Sequence, residues 1–189
     1  MKSKSKTTQL LGKIENGTEV EAYEAAKVIS NLQGAKILSS LNRILRIGKR
    51  AYAREAAAYA LSWYRNLKAV ESLLACATDS GEQDSVRGQA LEGMAAHLAC
   101  VSARSSSRQK AEKLMLRLLN SPSPTLRFWS CFGLGQLGCE RAIPRLRKIS
   151  ARDTEICPGW WYVREEAEDA LDWIAGKPGK DRIPVHLRN

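Results

Sequence analysis

The chain has 189 residues, of which 44% are hydrophobic and 26% charged, and it carries a formal net charge of +10. That size buries the core of a single domain, and the composition is that of an ordinary globular protein. No transmembrane helix is expected, because the longest uncharged stretch, 128–139, is too short to cross a bilayer and contains three glycines.

Residues 1–17 are polar and basic, with Lys2, Lys4 and Lys6, and close on the turn signal Asn16-Gly17. They read as a flexible basic arm with one short helical turn at 8–14, and they lack the apolar core of a secretory signal. Thr18 and Glu21 form a capping box that opens a helix over 18–32. From there to residue 175 the spacing of apolar residues predicts helices in pairs. The first of each pair (A) runs near 18–32, 51–65, 85–99, 124–137 and 162–175, and the second (B) near 35–47, 67–78, 108–120 and 141–151. The serine-rich 101–108 reads as a mobile insertion, and 153–160, with Pro158-Gly159, as a second irregular connection. A tail rich in Pro and Gly covers 177–189.

Four of the A segments superimpose on one pattern. Each has an arginine (Arg54, Arg87, Arg127, Arg164) preceded by an apolar residue (Ala53, Val86, Leu126, Val163). Three residues on is a small side chain (Ala57, Ala90, Ser130, Ala167), and six on another (Ala60, Gly93, Gly133, Ala170). A large apolar residue follows directly (Leu61, Met94, Leu134, Leu171), and successive arginines lie 33, 40 and 37 residues apart. Such self-similarity predicts an all-α fold, a right-handed α-α superhelix of about four and a half to five helical hairpins over 18–176, each burying its apolar face on its neighbours. The small residues then mark where a partner helix crosses closely.

The segment from Leu134 to Leu146, LGQLGCERAIPRL, with Arg127 ahead of it, resembles a HEAT-like repeat of the phycobilisome-lyase type; Cys139 stands where that family has aspartate. Val86-Arg87 and Val163-Arg164 match the start of the family's A helix. The resemblance implies the solenoid architecture. It leaves activity open, since such repeats serve in scaffolds, lyases and DNA-repair enzymes alike.

Chemistry is sparse. With two histidines and no C-x-x-C among the five cysteines, the sequence predicts no metal site and reduced thiols in a cytoplasm. No phosphate loop or nucleophile elbow is present, and no cofactor is expected. The repeated Arg54, Arg87, Arg127 and Arg164 read as a structural ladder, pairing with carboxylates such as Asp79, Asp84 and Asp153 or with carbonyls next door. Trp63 and Trp173 share a repeat position, which favours packing for both. Of the adjacent Trp160 and Trp161, one is expected to pack under the last helix and the other to meet solvent as a binding anchor.

Charge is the strongest functional signal. Three of the B helices are basic while the A helices are acidic or mixed. Arg43, Arg46, Lys49, Arg50, Lys113, Arg117, Arg145 and Lys148 define a candidate basic groove, on the usual HEAT arrangement with B helices on the concave side. The leading reading is a non-enzymatic scaffold or adaptor that binds an acidic protein partner there, without a membrane. The alternatives are nucleic-acid binding, including an alkylpurine-DNA-glycosylase-like protein, and a bilin-lyase-like partner subunit.

Overall fold

The computed structural model describes residues 5–64 and 66–188. Lys2 and Lys4 of the expected arm lie outside the described residues. The elements are α1 (Lys6–Asn16), α2 (Glu19–Ile29), α3 (Ala35–Ile47), α4 (Ala51–Leu61), α5 (Leu67–Thr78), α6 (Asp84–Leu98), α7 (Ser106–Leu118), α8 (Pro124–Gln136), α9 (Ile143–Arg152) and α10 (Val163–Ile174), with 3-10 turns at Glu140–Ala142 and Val185–Leu187. The described residues hold no strand beyond one isolated bridge between Ile156 and Tyr162. The fold is an α-α solenoid: α2/α3, α4/α5, α6/α7 and α8/α9 are the A/B hairpins, α10 is a final A helix, and α1 precedes them all.

The chain divides into two compact units, Met1–Gly93 and Met94–Asn189, with the boundary inside α6. In the first unit α1 is a full helix rather than an arm with one short turn. It packs on α2, α3 and α4, and its Ile14 is wholly buried. Ser5 accepts a hydrogen bond from the Thr8 amide to start it, and Arg43 of α3 clamps Glu15 through two bonds of 2.6 and 2.7 Å. Those tertiary contacts hold a segment whose own sequence is too polar to announce a helix. The Thr18–Glu21 capping box is formed in full.

In the second unit the serine-rich insertion ends in the start of α7, its last three residues being helical. Ser105 caps α7 by accepting from the Arg108 amide at 3.2 Å, which satisfies one of the unpaired amides of the first turn. Gly138, at a positive φ of 59°, ends α8, with the Cys139 amide returning to the Leu134 carbonyl at 3.0 Å. The tail folds back on α10. Arg182 is almost enclosed and donates to Asp169 at 2.6 and 3.0 Å and to the Glu165 carbonyl at 2.8 Å.

Small residues set the spacing. A Cβ added at Gly93 would collide with Ser62, and one at Gly133 with the flexible end of Met115. One at Gly135 would come within 2.7 Å of the Ala170 Cα, which is backbone and cannot swing aside. Gly12 in α1, by contrast, has nothing within 4 Å. Gly135→Ala is therefore expected to cost about 1–3 kcal/mol by overpacking. Gly12→Ala is expected to stabilise by about 0.5–1 kcal/mol through helix propensity. Urea denaturation of both variants checks the opposite signs.

Candidate functional site

Each unit contains a hollow walled by B helices. In the first unit α3 and α5 enclose about 910 Å³, with Leu38, Leu45 and Ala75 as apolar lining. In the second, α7 and the segment entering α9 border about 970 Å³, lined by Arg108, Lys113, Arg117, Arg141 and Arg145 together with Glu112 and Glu140.

The candidate cations fall into two groups. Arg43 is held by Glu15. Arg50 donates to the Asn16 and Gly17 carbonyls at 3.2 and 2.8 Å and to the Tyr52 hydroxyl at 2.7 Å. Arg145 donates to the Leu116 carbonyl at 2.7 Å. These three tie elements together. Arg46, Lys49, Lys113, Arg117 and Lys148 are exposed, and none pairs with an acid among the described residues.

The second hollow has an anionic centre that sequence reasoning passed over. Glu112 is buried. Arg108 reaches it at 3.2 Å, one helical turn away, and Arg141 at 2.6 Å. Arg108 also donates to the Val101 and Leu137 carbonyls. A buried carboxylate needs such partners. The pattern Arg-x-x-x-Glu within α7 was its one sequence signal.

Three of the repeated arginines sit at the base of their A helices. Arg54 chelates Glu82 at 2.5 and 2.7 Å and caps the Gly48 carbonyl. Arg87 bonds the Ala77 carbonyl at 3.3 Å and Asp84 at 3.1 Å. Arg127 takes Asp153, Glu155 and the carbonyls of Ser121 and Pro122. Asp79 instead accepts the Gly81 amide. Arg164 differs from the other three, being exposed and stacked over Tyr162 with its guanidinium 4.7 Å from the ring centre. Among the described residues, Arg182 and Arg188 of the tail occupy the acids beside it.

The tryptophan loop is ordered. Gly159 turns it at φ 81°, and the Cys157 amide bonds the Trp161 carbonyl at 3.1 Å. Trp161 is the inner ring and donates from Nε1 to Glu166 at 2.9 Å. Trp160 is the outer, 39% exposed, yet it packs edge-on against Trp129 and Trp161 with centroids 5.3 Å apart in both cases. Its carbonyl accepts from Val185 of the tail. Trp173 packs on Phe132, but Trp63 is 58% exposed, with the Tyr59 ring edge-on beside it. Equal repeat position therefore did not give equal burial. Among the described residues no three His, Cys, Asp or Glu side chains gather as a metal site, and no helix is long and apolar enough to cross a membrane.

Residues 126–151, spanning most of α8, the 3-10 turn and nearly all of α9, match the family model described as PBS lyase HEAT-like repeat. The fold is that of a HEAT-like repeat protein. A chain from the complex of CpcE and CpcF of phycocyanin lyase from Nostoc sp. PCC7120 superimposes with a TM-score of 0.69 at 20% identity, over 87% of this chain and 97% of that one. An engineered protein superimposes with a TM-score of 0.54 at 15% identity, over 91% of this chain and 80% of the other. At these identities the likeness is one of fold. No curated protein matches the chain by sequence.

Glu166 gives a pH-dependent readout of this end of the fold. Burial pushes its pKa up to about 8, against the Trp161 hydrogen bond that favours the charged form; neighbouring Asp169 raises it further and Arg182 lowers it. The folded chain thus holds a proton that the unfolded chain has released between about pH 4.5 and 8, so this group lowers stability as pH rises through that window. Glu166→Gln is expected to flatten the decline of melting temperature between pH 5 and 8.5 and to be the more stable protein at pH 8.5. Calorimetry across that range checks it.

Proposed function

We propose that the chain is a non-enzymatic HEAT-like scaffold that docks an acidic segment of a protein partner on the exposed faces of its B helices. The observation that carries this reading is the position of Lys113 and Arg117, lining the second hollow without an acidic partner among the described residues. Arg46 in the first hollow and Lys148 on α9 are unpaired in the same way. Within each unit, exposed cations left unpaired hold a positive potential that attracts and orients an acidic surface. Of the acidic run of α10, Glu165, Glu168 and Asp169 are taken by the tail.

A protein fits this pattern better than a nucleic acid. The hollows also contain Glu112, Glu140, Asp79 and Glu82, which would repel a continuous phosphate backbone but suit a partner with spaced carboxylates and donors of its own. A second reading, a bilin-lyase-like partner subunit, draws on the likeness to almost the whole of a chain from the CpcE–CpcF complex. It shares the need for a protein partner.

The test replaces Arg46, Lys113, Arg117 and Lys148 together by Glu, leaving Arg43 and Arg145 in place because they hold elements together. Binding of a fluorescein-labelled acidic peptide should weaken at least tenfold while the melting temperature moves by no more than a few degrees, since exposed charges add little stability. Unchanged peptide binding would refute the basic-face reading. Tighter binding of duplex DNA than of the peptide, with a slope near −0.9 per phosphate in log–log salt dependence, would favour the nucleic-acid alternative.

A further inference from the structure

The α3–α5 hollow of the first unit has unpaired polar groups gathered at one end. α3 starts behind Gly34, which provides no side-chain cap, and its first turn contains no acid. The leading amides of a helix lack intrahelical acceptors, and the partial positive charge there favours an anion. Uncapped starts occur elsewhere in this chain, at α4 and α8 for example, so the start of α3 alone marks no site.

Tyr64 supplies the second observation. It is 2% exposed and lines the same hollow, and its hydroxyl proton has no acceptor among the described residues. The Gly34 backbone lies beside that hydroxyl and offsets part of the rise in pKa that burial causes. A buried hydroxyl left unpaired is a standing cost that a ligand oxygen relieves. Lys68 is exposed on the facing wall without an ion-pair partner among the described residues. The start of α5 itself is already filled, because the Asn66 side chain accepts from the Lys68 amide at 2.8 Å.

Further along the hollow, Asn42 has an unpaired side-chain carbonyl. It lies eight residues into the helix from Gly34, about 12 Å along the axis, a distance spanned by three to four residues of extended chain. Past it the lining is mixed in sign: Arg46, Asp79 and Glu82 also line the hollow, with Glu82 already chelated by Arg54.

We infer that the α3–α5 hollow binds an extended acidic peptide segment, one carboxylate of which caps the start of α3. The carboxylate accepts from the first-turn amides and from the Tyr64 hydroxyl, with Lys68 opposite. Three to four residues away, a peptide N–H donates to Asn42. This rests on the scaffold reading above and assigns the partner's anchoring carboxylate to a specific place.

The decisive variant is Gly34→Asp. The φ of Gly34 is 161°, close to fully extended, and a Cβ there meets nothing nearer than 3.9 Å. An aspartate at that position caps α3 from within and occupies the anion's place. The probe is a fluorescein-labelled Gly-Ser-Asp-Glu-Asp-Glu peptide, with a C-terminally amidated copy to separate terminal from side-chain carboxylates. Gly34→Asp should raise the melting temperature and weaken the peptide at least tenfold. Tyr64→Phe should keep the melting temperature or raise it, and weaken the peptide several-fold. In the wild-type protein, peptide at millimolar concentration should shift the amide resonances of Ala35, Lys36 and Ile37. Wild-type affinity in Gly34→Asp, or no shift at those amides, overturns the inference. If the four-site charge reversal abolishes binding while Gly34→Asp does not, this inference fails and the scaffold reading stands. If the amides shift and Gly34→Asp blocks binding while the reversal has no effect, the α3 site stands and the wider basic face does not.

Discussion

Helices α8 and α10 cross so closely at Gly135 that the Ala170 backbone occupies the space a Cβ would need. Gly93 against Ser62 and Gly133 against Met115 make comparable approaches within their own units. Interiors packed at crystal-like density leave no slack at such crossings, so the small residues fix how far apart the helices sit. That spacing in turn seals Ala57, Ala60, Leu61, Leu134 and Ala167 from solvent.

The arginine ties depend on the same spacing. Arg54 and Arg127 reach across 28 and 26 residues of sequence to Glu82 and Asp153 while also capping nearby carbonyls. A guanidinium with five donors suits this work, since one side chain satisfies a carboxylate and the open end of a neighbouring segment together. Such largely enclosed pairs add little net stability, but removing one partner strands the other. Their contribution is to register: they fix which turn of one repeat faces which loop of the next. The same chemistry, turned inward at Glu112 and at the tail's Arg182, uses up charges that composition alone would count as surface.

The sequence revealed the repeat well because its signal is local and redundant. The limits of α3 and α5 coincide with the spacing of apolar residues, and the pattern of arginine, small residue and large apolar residue recurs four times. It under-described α1, where helix formation depends on burial of Ile14 and on Arg43 rather than on propensity. Trp63 and Trp173 share a sequence position yet differ in burial, because Trp173 lies against both Phe132 and the folded-back tail. For the candidate site, the basic character of the B helices was legible, but which cations are spent was not. Arg43, Arg50 and Arg145 look like Arg46, Lys113 and Arg117 in a string of letters, and only the fold shows which of them have acceptors within reach. Gly34, Tyr64 and Asn42 carried no motif at all; their interest lies in what they lack, and a missing hydrogen-bond partner is a property of three dimensions.

The central claim is that partners dock on the B-helix faces, whose cations remain unpaired, and not on the A helices. Hydrogen–deuterium exchange of the intact chain with and without saturating acidic peptide tests this most directly. The account predicts slower exchange in α3 and α7 and at the starts of α5 and α9, with α2, α4 and α10 unchanged. Protection confined to the A helices or to the loop around Trp160 would contradict it.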